Sequence, residues 1–92
     1  MSIRVTAIHL SGATTHEHIE RLRWCQPPTA NTVESSRAEI ISWIETQGGT
    51  AYVHESGRQI QVGVVTPKVG QKYLRTFADG VWTDNLLALP RF

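Results

Sequence analysis

The chain has 92 residues, enough for one small domain that buries somewhat over half of its unfolded surface. With 40% hydrophobic and 18% charged residues and a net charge of +1, it lacks the general field that draws nucleic acid or an anionic membrane, so any basic surface must be local. The lone Cys25 rules out an internal disulfide, no apolar run nears the ~20 residues that span a bilayer, and "MSIRVTAIHL" lacks the unbroken apolar stretch of a secretory signal. The expectation is a cytoplasmic chain with no membrane partner.

The first predicted strand is "IRVTAIHL", residues 3–10. Ile3, Val5 and Ala7 fall on one face and Ile8 and Leu10 on the other, a change of phase that implies burial on both faces or a bulge. "SGATTHE" is a loop by composition. "HIERLRWC", residues 18–25, is the second strand, with His18, Glu20, Leu22 and Trp24 on one face and Ile19, Arg21, Arg23 and Cys25 on the other. The two strands pair as a hairpin. "QPPTANTVE" then stops the second, because two prolines cannot continue a ladder.

"SSRAEIISWIETQGG" is the one clear helix. Ser36 as N-cap and Glu39 three residues later form a capping box. Ile40, Ile41 and Ile44 share one side with Trp43 on its flank, and Gly48 and Gly49 supply a left-handed end. "TAYVH" and "QIQVGVV" form a hairpin around "ESGR", with Ile60, Val62 and Val64 inward and Gln59 and Gln61 outward.

In "YLRTFADGVWTDNLL", Asp79-Gly80 suits a two-residue type I′ turn, in which both positions need positive φ. That turn sets Ala78 against Val81, Phe77 against Trp82, Thr76 against Thr83 and Arg75 against Asp84, with Tyr73 opposite Leu86. A domain this small is expected to use the face of Tyr73, Phe77, Trp82 and Leu86 as core, with Arg75–Asp84 a partly sheltered pair at its edge. Alternatively, Asp84 caps a short helical turn over "NLLA" and the last strand ends at Thr83. The order reads ββαβββ. The fold class is α+β, a single domain over 1–92 with one helix laid by its isoleucine face on a largely antiparallel sheet.

Taken together, "VTAIHLSGATTHEHIERLRW", "SSRAEIISWIE", "VGVVTPK" and "YLRTFADGVWTDNLLALPRF" resemble the DUF3892 family of small bacterial proteins, in order and over nearly the whole chain. That family has no established activity, so the resemblance implies no catalytic residue. It directs emphasis to the segment of His16, Glu17 and His18 and to Asp79 through Pro90.

The richest stretch chemically is "GATTHEHIERLRWC". In an extended chain His16 and His18 point the same way and Glu17 away, so the pair could share one metal ion with His9 as a third ligand. The simpler account is that these imidazoles bond locally and shape the connection; no cofactor is expected. Cys25, at a strand end, offers a thiol nucleophile, and it serves equally as a small buried hydrophobe. Ser35 and Ser36 could nest a phosphate at the helix start, but Glu34 and Glu39 would repel it and capping explains the serines.

A face of Arg21 and Arg23, with the aromatic hairpin and Arg75, has the outline of a single-strand nucleic-acid platform. The other account is an adaptor or subunit whose apolar "NLLALPRF" closes the sheet edge, adds to a partner's sheet or docks on a second copy. On balance the sequence predicts a non-catalytic binding or interaction module rather than an enzyme. A protein partner or second copy is the first expectation, nucleic acid the alternative. Its site is expected at Thr15, His16, Glu17 and His18 with Arg21, Arg23, Arg75 and Asp84, made pH-sensitive by the imidazoles.

Overall fold

A computed structural model describes residues 2–29, 31–55 and 57–92. Ala30 of the expected linker and Ser56 of the expected hairpin loop lie outside the described residues. The strands are β1 (Ser2–Leu10), β2 (Ile19–Cys25), β3 (Val33–Ser36), β4 (Thr50–Glu55), β5 (Arg58–Val65), β6 (Tyr73–Ala78) and β7 (Val81–Thr83), and the α-helix is α1 (Arg37–Glu45). They form one sheet in the order β3-β2-β1-β4-β5-β6-β7. Every strand pair is antiparallel except β1 with β4, whose parallel pairing follows from the crossover through β2, β3 and α1. No described helix is long and apolar enough to cross a membrane.

The expected order ββαβββ is therefore corrected to seven strands, βββαββββ. The prolines do end β2 at Cys25. The chain then turns back and resumes the ladder, with Val33 opposite Trp24 and Ser36 opposite Arg21, until Ser36 becomes the N-cap of α1. After the Asp79-Gly80 turn, where both residues have positive φ, β7 forms with the expected register and ends at Thr83.

The change of phase in β1 is a bulge. Val5 faces Trp24 and Ala7 faces Arg23, so Thr6 is the extra residue; Ile3, Val5 and Ile8 can then all point inward, where all three are buried. A second bulge answers it in β2. His9 faces Arg21 and Leu10 faces Ile19, which leaves Glu20 extra. This corrects the expectation that Ile19 shares a face with Arg21 and Arg23: Ile19 is buried together with Leu22, and Arg23 is exposed.

Helix α1 begins as expected. The Ser36 side chain accepts from the Glu39 N–H, and the Glu39 carboxylate accepts from the Ser36 N–H, which holds its carboxyl below the usual glutamate range. Ile40 is buried, with Ile41, Trp43 and Ile44 packed around it. The helix packs against β2, β3, β4, β5 and β6, so it lies across the width of the sheet. Arg37 fastens the helix start on two sides, donating to the Glu17 carbonyl at 2.5 Å and to Gln71 Oε1 at 2.9 Å.

Gly48 takes the left-handed conformation expected at the helix end, with φ +69°. Gly49 has a different task, because a Cβ there would overlap the Trp43 indole, which lies directly against its backbone.

After Thr83 the chain makes the helical turn foreseen as the alternative, with Leu87, Ala88 and Leu89 N–H groups donating to the Asp84, Asn85 and Leu86 carbonyls. This swings Leu86 into the core. The tail then closes on β1: Ile8 N–H donates to Pro90 O at 2.9 Å, and Phe92 N–H donates to Ile8 O at 3.1 Å.

The expected core face of the β6–β7 hairpin is overturned. Leu74 and Thr76 point inward and are fully buried, while Phe77 and Trp82 are 38% and 40% exposed on the opposite face. Arg75 explains the choice. It lies between Tyr73 and Phe77 on their face, so burying the aromatics would bury a guanidinium. The other face brings in only the Thr76 hydroxyl, which lies 3.0 Å from Thr83 O and 2.7 Å from Thr83 Oγ1.

Two substitutions test this packing by chemical denaturation. Ser36→Ala should lower the unfolding free energy by about 1 kcal/mol through loss of the cap. Gly49→Ala should cost about 1–3 kcal/mol, because the indole must leave its seat. A Gly49→Ala variant no less stable than wild type would show that Trp43 is not held there.

Candidate functional site

The loop expected over "SGATTHE" ends in a 3-10 turn at His16–His18, not the extended chain that a shared metal ion would need, and the turn separates the two imidazoles. His16 turns inward and is only 8% exposed; His18 remains half-buried, its Nδ1 2.8 Å from Thr15 Oγ1. His9, proposed as a third metal ligand, donates from Nδ1 to the Phe92 main-chain oxygen at 2.5 Å and stacks obliquely on the Phe92 ring. Among the described residues, no three His, Cys, Asp or Glu side chains gather where they could hold a metal ion. The stretch does border a hollow of about 340 Å³, lined by Glu17, His18, Arg37, Val69, Gln71 and Tyr73 among others.

Five of the eight expected site residues fall into two groups. His16, Arg75 and Asp84 come together: Arg75 donates to Asp84 Oδ1 at 2.9 Å and to Thr83 O at 3.1 Å, and His16 Nε2 faces the same Asp84 oxygen at 3.9 Å. Arg21 and Arg23 stand apart from them on β2 and are engaged elsewhere. Arg21 is bonded to the Glu34 carboxylate, and the Arg23 guanidinium lies 4.0 Å above the Phe92 ring. The serines of the supposed phosphate nest are also occupied, Ser35 by the Trp24 indole N–H and Ser36 by the helix cap.

Sequence reading missed a row that register alone creates. Arg4 pairs with Tyr52, Tyr52 with Gln61, Gln61 with Phe77, and Phe77 with Trp82. These residues alternate with the buried Ile3, Ala51, Val62 and Thr76, so all five lie on the face turned away from α1. Phe77 and Trp82 meet edge to face with centroids 5.1 Å apart. The Trp82 indole reaches back across β6 to β5, where a Cβ at Gly63 would stand 3.1 Å from its ring. Gly63 thus makes room for the ring on the sheet surface. Beside the row, Ser2, Thr50, Tyr52, Gln59 and Gln61 line a depression of about 240 Å³. A larger groove of about 540 Å³ runs along α1, past Trp24 and Trp43, with Ile3 and Ile40 of the helix–sheet core in its wall.

His16 is the most perturbed group of the site. Burial lowers its pKa, the Arg75 charge lowers it further, and the Asp84 and Glu17 carboxylates only partly offset this. The 3.9 Å contact with Asp84 is therefore no ion pair at neutral pH, and among the described residues the buried Nε2 has no hydrogen-bond partner. Because the folded pKa lies below the ordinary 6.5, the unfolded chain takes up the proton first as pH falls. Stability contributed by neutral His16 is present above 6.5 and is lost below it, toward the folded pKa. In denaturation curves at about pH 7.5 and 5.5, wild type should lose more stability than His16→Leu, which cannot titrate. Equal losses would show that His16 is not the group responsible.

Neither the curated proteins nor the solved structures include a match to this chain. Residues 4–90 match the model of DUF3892, described as a protein of unknown function. That match runs from β1 to the C-terminal tail and takes in both the 3-10 turn and the aromatic row, and the chain belongs to the DUF3892 family.

Proposed function

We propose that this protein is a non-catalytic binding module that works through the sheet face turned away from α1. The observation that carries this reading is the exposed pair Phe77 and Trp82, standing in register with Gln61, Tyr52 and Arg4. A small domain gains much by burying its aromatics, yet this core closes on Leu74, Thr76 and Leu86 without those two rings. Exposed aromatics grouped on one rigid face are the usual anchor of an interaction surface. The row also mixes ring surface with the amide of Gln61 and the guanidinium of Arg4, which suits recognition better than simple apolar docking.

The site first expected is thereby rearranged. Arg21 bonds to Glu34 and the Arg23 guanidinium lies over the Phe92 ring, which moves the weight of the reading from β2 to β4–β7. His16, Arg75 and Asp84 adjoin the new face at its edge through Arg75, the strand neighbour of Gly63.

Immobilised wild type and a Phe77→Ala/Trp82→Ala variant can be exposed to the same cell extract, with retained protein and retained nucleic acid both analysed. A species held by wild type and lost by the folded variant is the expected result. Retention that the variant leaves unchanged, but Arg21→Ala/Arg23→Ala abolishes, would return the site to β2.

A further inference from the structure

We infer that the occupant of this face is single-stranded nucleic acid, an assignment that rests on the binding-module reading above. Three features of the row support it. The first is the pose of Trp82. Its indole does not stand off the sheet but reaches across β6 to rest by Gly63, leaving 40% of the residue exposed with Phe77 edge-on beside it. A flat ring fixed against backbone is a stacking surface for a base, and such stacking tolerates any sequence because every base has a π-face.

The second feature is spacing. Neighbouring strands lie ~4.8 Å apart, so the Tyr52 and Phe77 positions, two strands apart, are separated by roughly 10 Å. Between them Gln61, with Gln59 two residues before it on the same face, presents amides that both donate and accept. Rings for base faces thus alternate with groups for base edges along one row. Single strands offer both, whereas a duplex hides the faces in its stack.

The third feature is charge complementarity. Two carboxylates beside the row already face arginines: Asp84 accepts from Arg75 at 2.9 Å, and Asp79 lies 3.8 Å from Arg58. Among the described residues Arg4 faces no carboxylate within ion-pair distance, so the row ends in an uncompensated cation. From Arg4 on β1 to Trp82 on β7 the row crosses four strand intervals, about 19 Å along the sheet. A strand laid along it would place a phosphate at Arg4 and bases on Tyr52, Phe77 and Trp82. An acidic peptide would find the same cation and the same rings, and it is the competing occupant.

The test is fluorescence anisotropy of labelled single-stranded RNA, single-stranded DNA and duplex DNA of equal length, and of an acidic aromatic peptide, at two salt concentrations. Wild type should bind the single strands in preference to the duplex and the peptide, with RNA and DNA arms showing which sugar is favoured. Trp82→Ala should weaken single-strand binding about tenfold or more, and Trp82→Phe, which keeps a ring, should retain most of it. Arg4→Gln should reduce the slope of log affinity against log salt by about one. Arg21→Ala/Arg23→Ala should leave binding unchanged. Circular dichroism of each variant separates lost binding from lost folding.

Absence of single-strand binding, or binding that Trp82→Ala does not weaken while Arg21→Ala/Arg23→Ala does, overturns the inference. Preference for the peptide, lost in Trp82→Ala, would overturn nucleic acid as the occupant while leaving the binding module standing. If no species in either experiment depends on Phe77 or Trp82, both readings fail.

Discussion

The bulge at Thr6 is the constraint from which the rest of the structure follows. β1 lies inside the sheet, and without an extra residue a strict alternation would turn Ile8 to the side opposite Ile3 and Val5. The inserted Thr6, whose hydroxyl donates to the Arg23 carbonyl at 3.3 Å, resets the phase, and all three residues enter one core. The same kink divides the strand by partner. Residues Ser2, Ile3 and Arg4 pair with β4, whereas Ile8 pairs with the C-terminal tail. That bond brings Phe92 against both Arg23 and His9, two residues singled out in the sequence for binding.

The second decision is made on β6. Its two faces compete for the core, Leu74, Thr76 and Ala78 against Tyr73, Arg75 and Phe77. By apolar area alone the aromatic face would win, since each large ring is worth a few kcal/mol when buried. A guanidinium removed from water costs several kcal/mol unless fully paired, and the nearest carboxylate, Asp84, is itself mostly exposed. Thr76 demands far less, because the chain that returns as β7 supplies Thr83 O and Oγ1 at its side. The cheap polar group goes in, the expensive one stays out, and Phe77 stays out with it. The exposed rings are thus a consequence of how one arginine is placed.

These two decisions mark what was legible in the sequence. Features that close over a few residues were readable: the capping box of Ser36 and Glu39, the left-handed Gly48, and the Asp79-Gly80 turn with its register. Features that depend on a distant partner were not. Val33–Ser36 has no local strand signal strong enough to survive two prolines, and it becomes β3 because β2 offers an open edge. The loop before β2 was legible from its composition, but the turn at His16–His18 was not. That turn is held by Arg37, which donates to Glu17 O from the start of a helix the sequence places elsewhere. Gly49 reads as a helix cap and Gly63 lies inside a strand with no local signal, and their use is to admit Trp43 and Trp82.

The candidate site follows the same division. Arg21, Arg23 and the His16–His18 stretch attract attention because they are close together in the chain, and closeness in the chain is also what lets a fold answer such groups locally, as Glu34 answers Arg21 and Thr15 answers His18. Arg4, Tyr52, Gln61, Phe77 and Trp82 belong to five different strands and share no spacing that a motif could express. Their alignment exists only once every register between β1 and β7 is set, and a one-residue slip at any ladder would turn the residues beyond it to the other face. A surface built this way is invisible to local reading but rigid once formed, because each of its members is fixed by the backbone ladder beneath it. The two alternating sides of those strands carry opposite duties: the inner side satisfies the core, and the outer side, freed from packing, holds rings, an amide and a cation in one line.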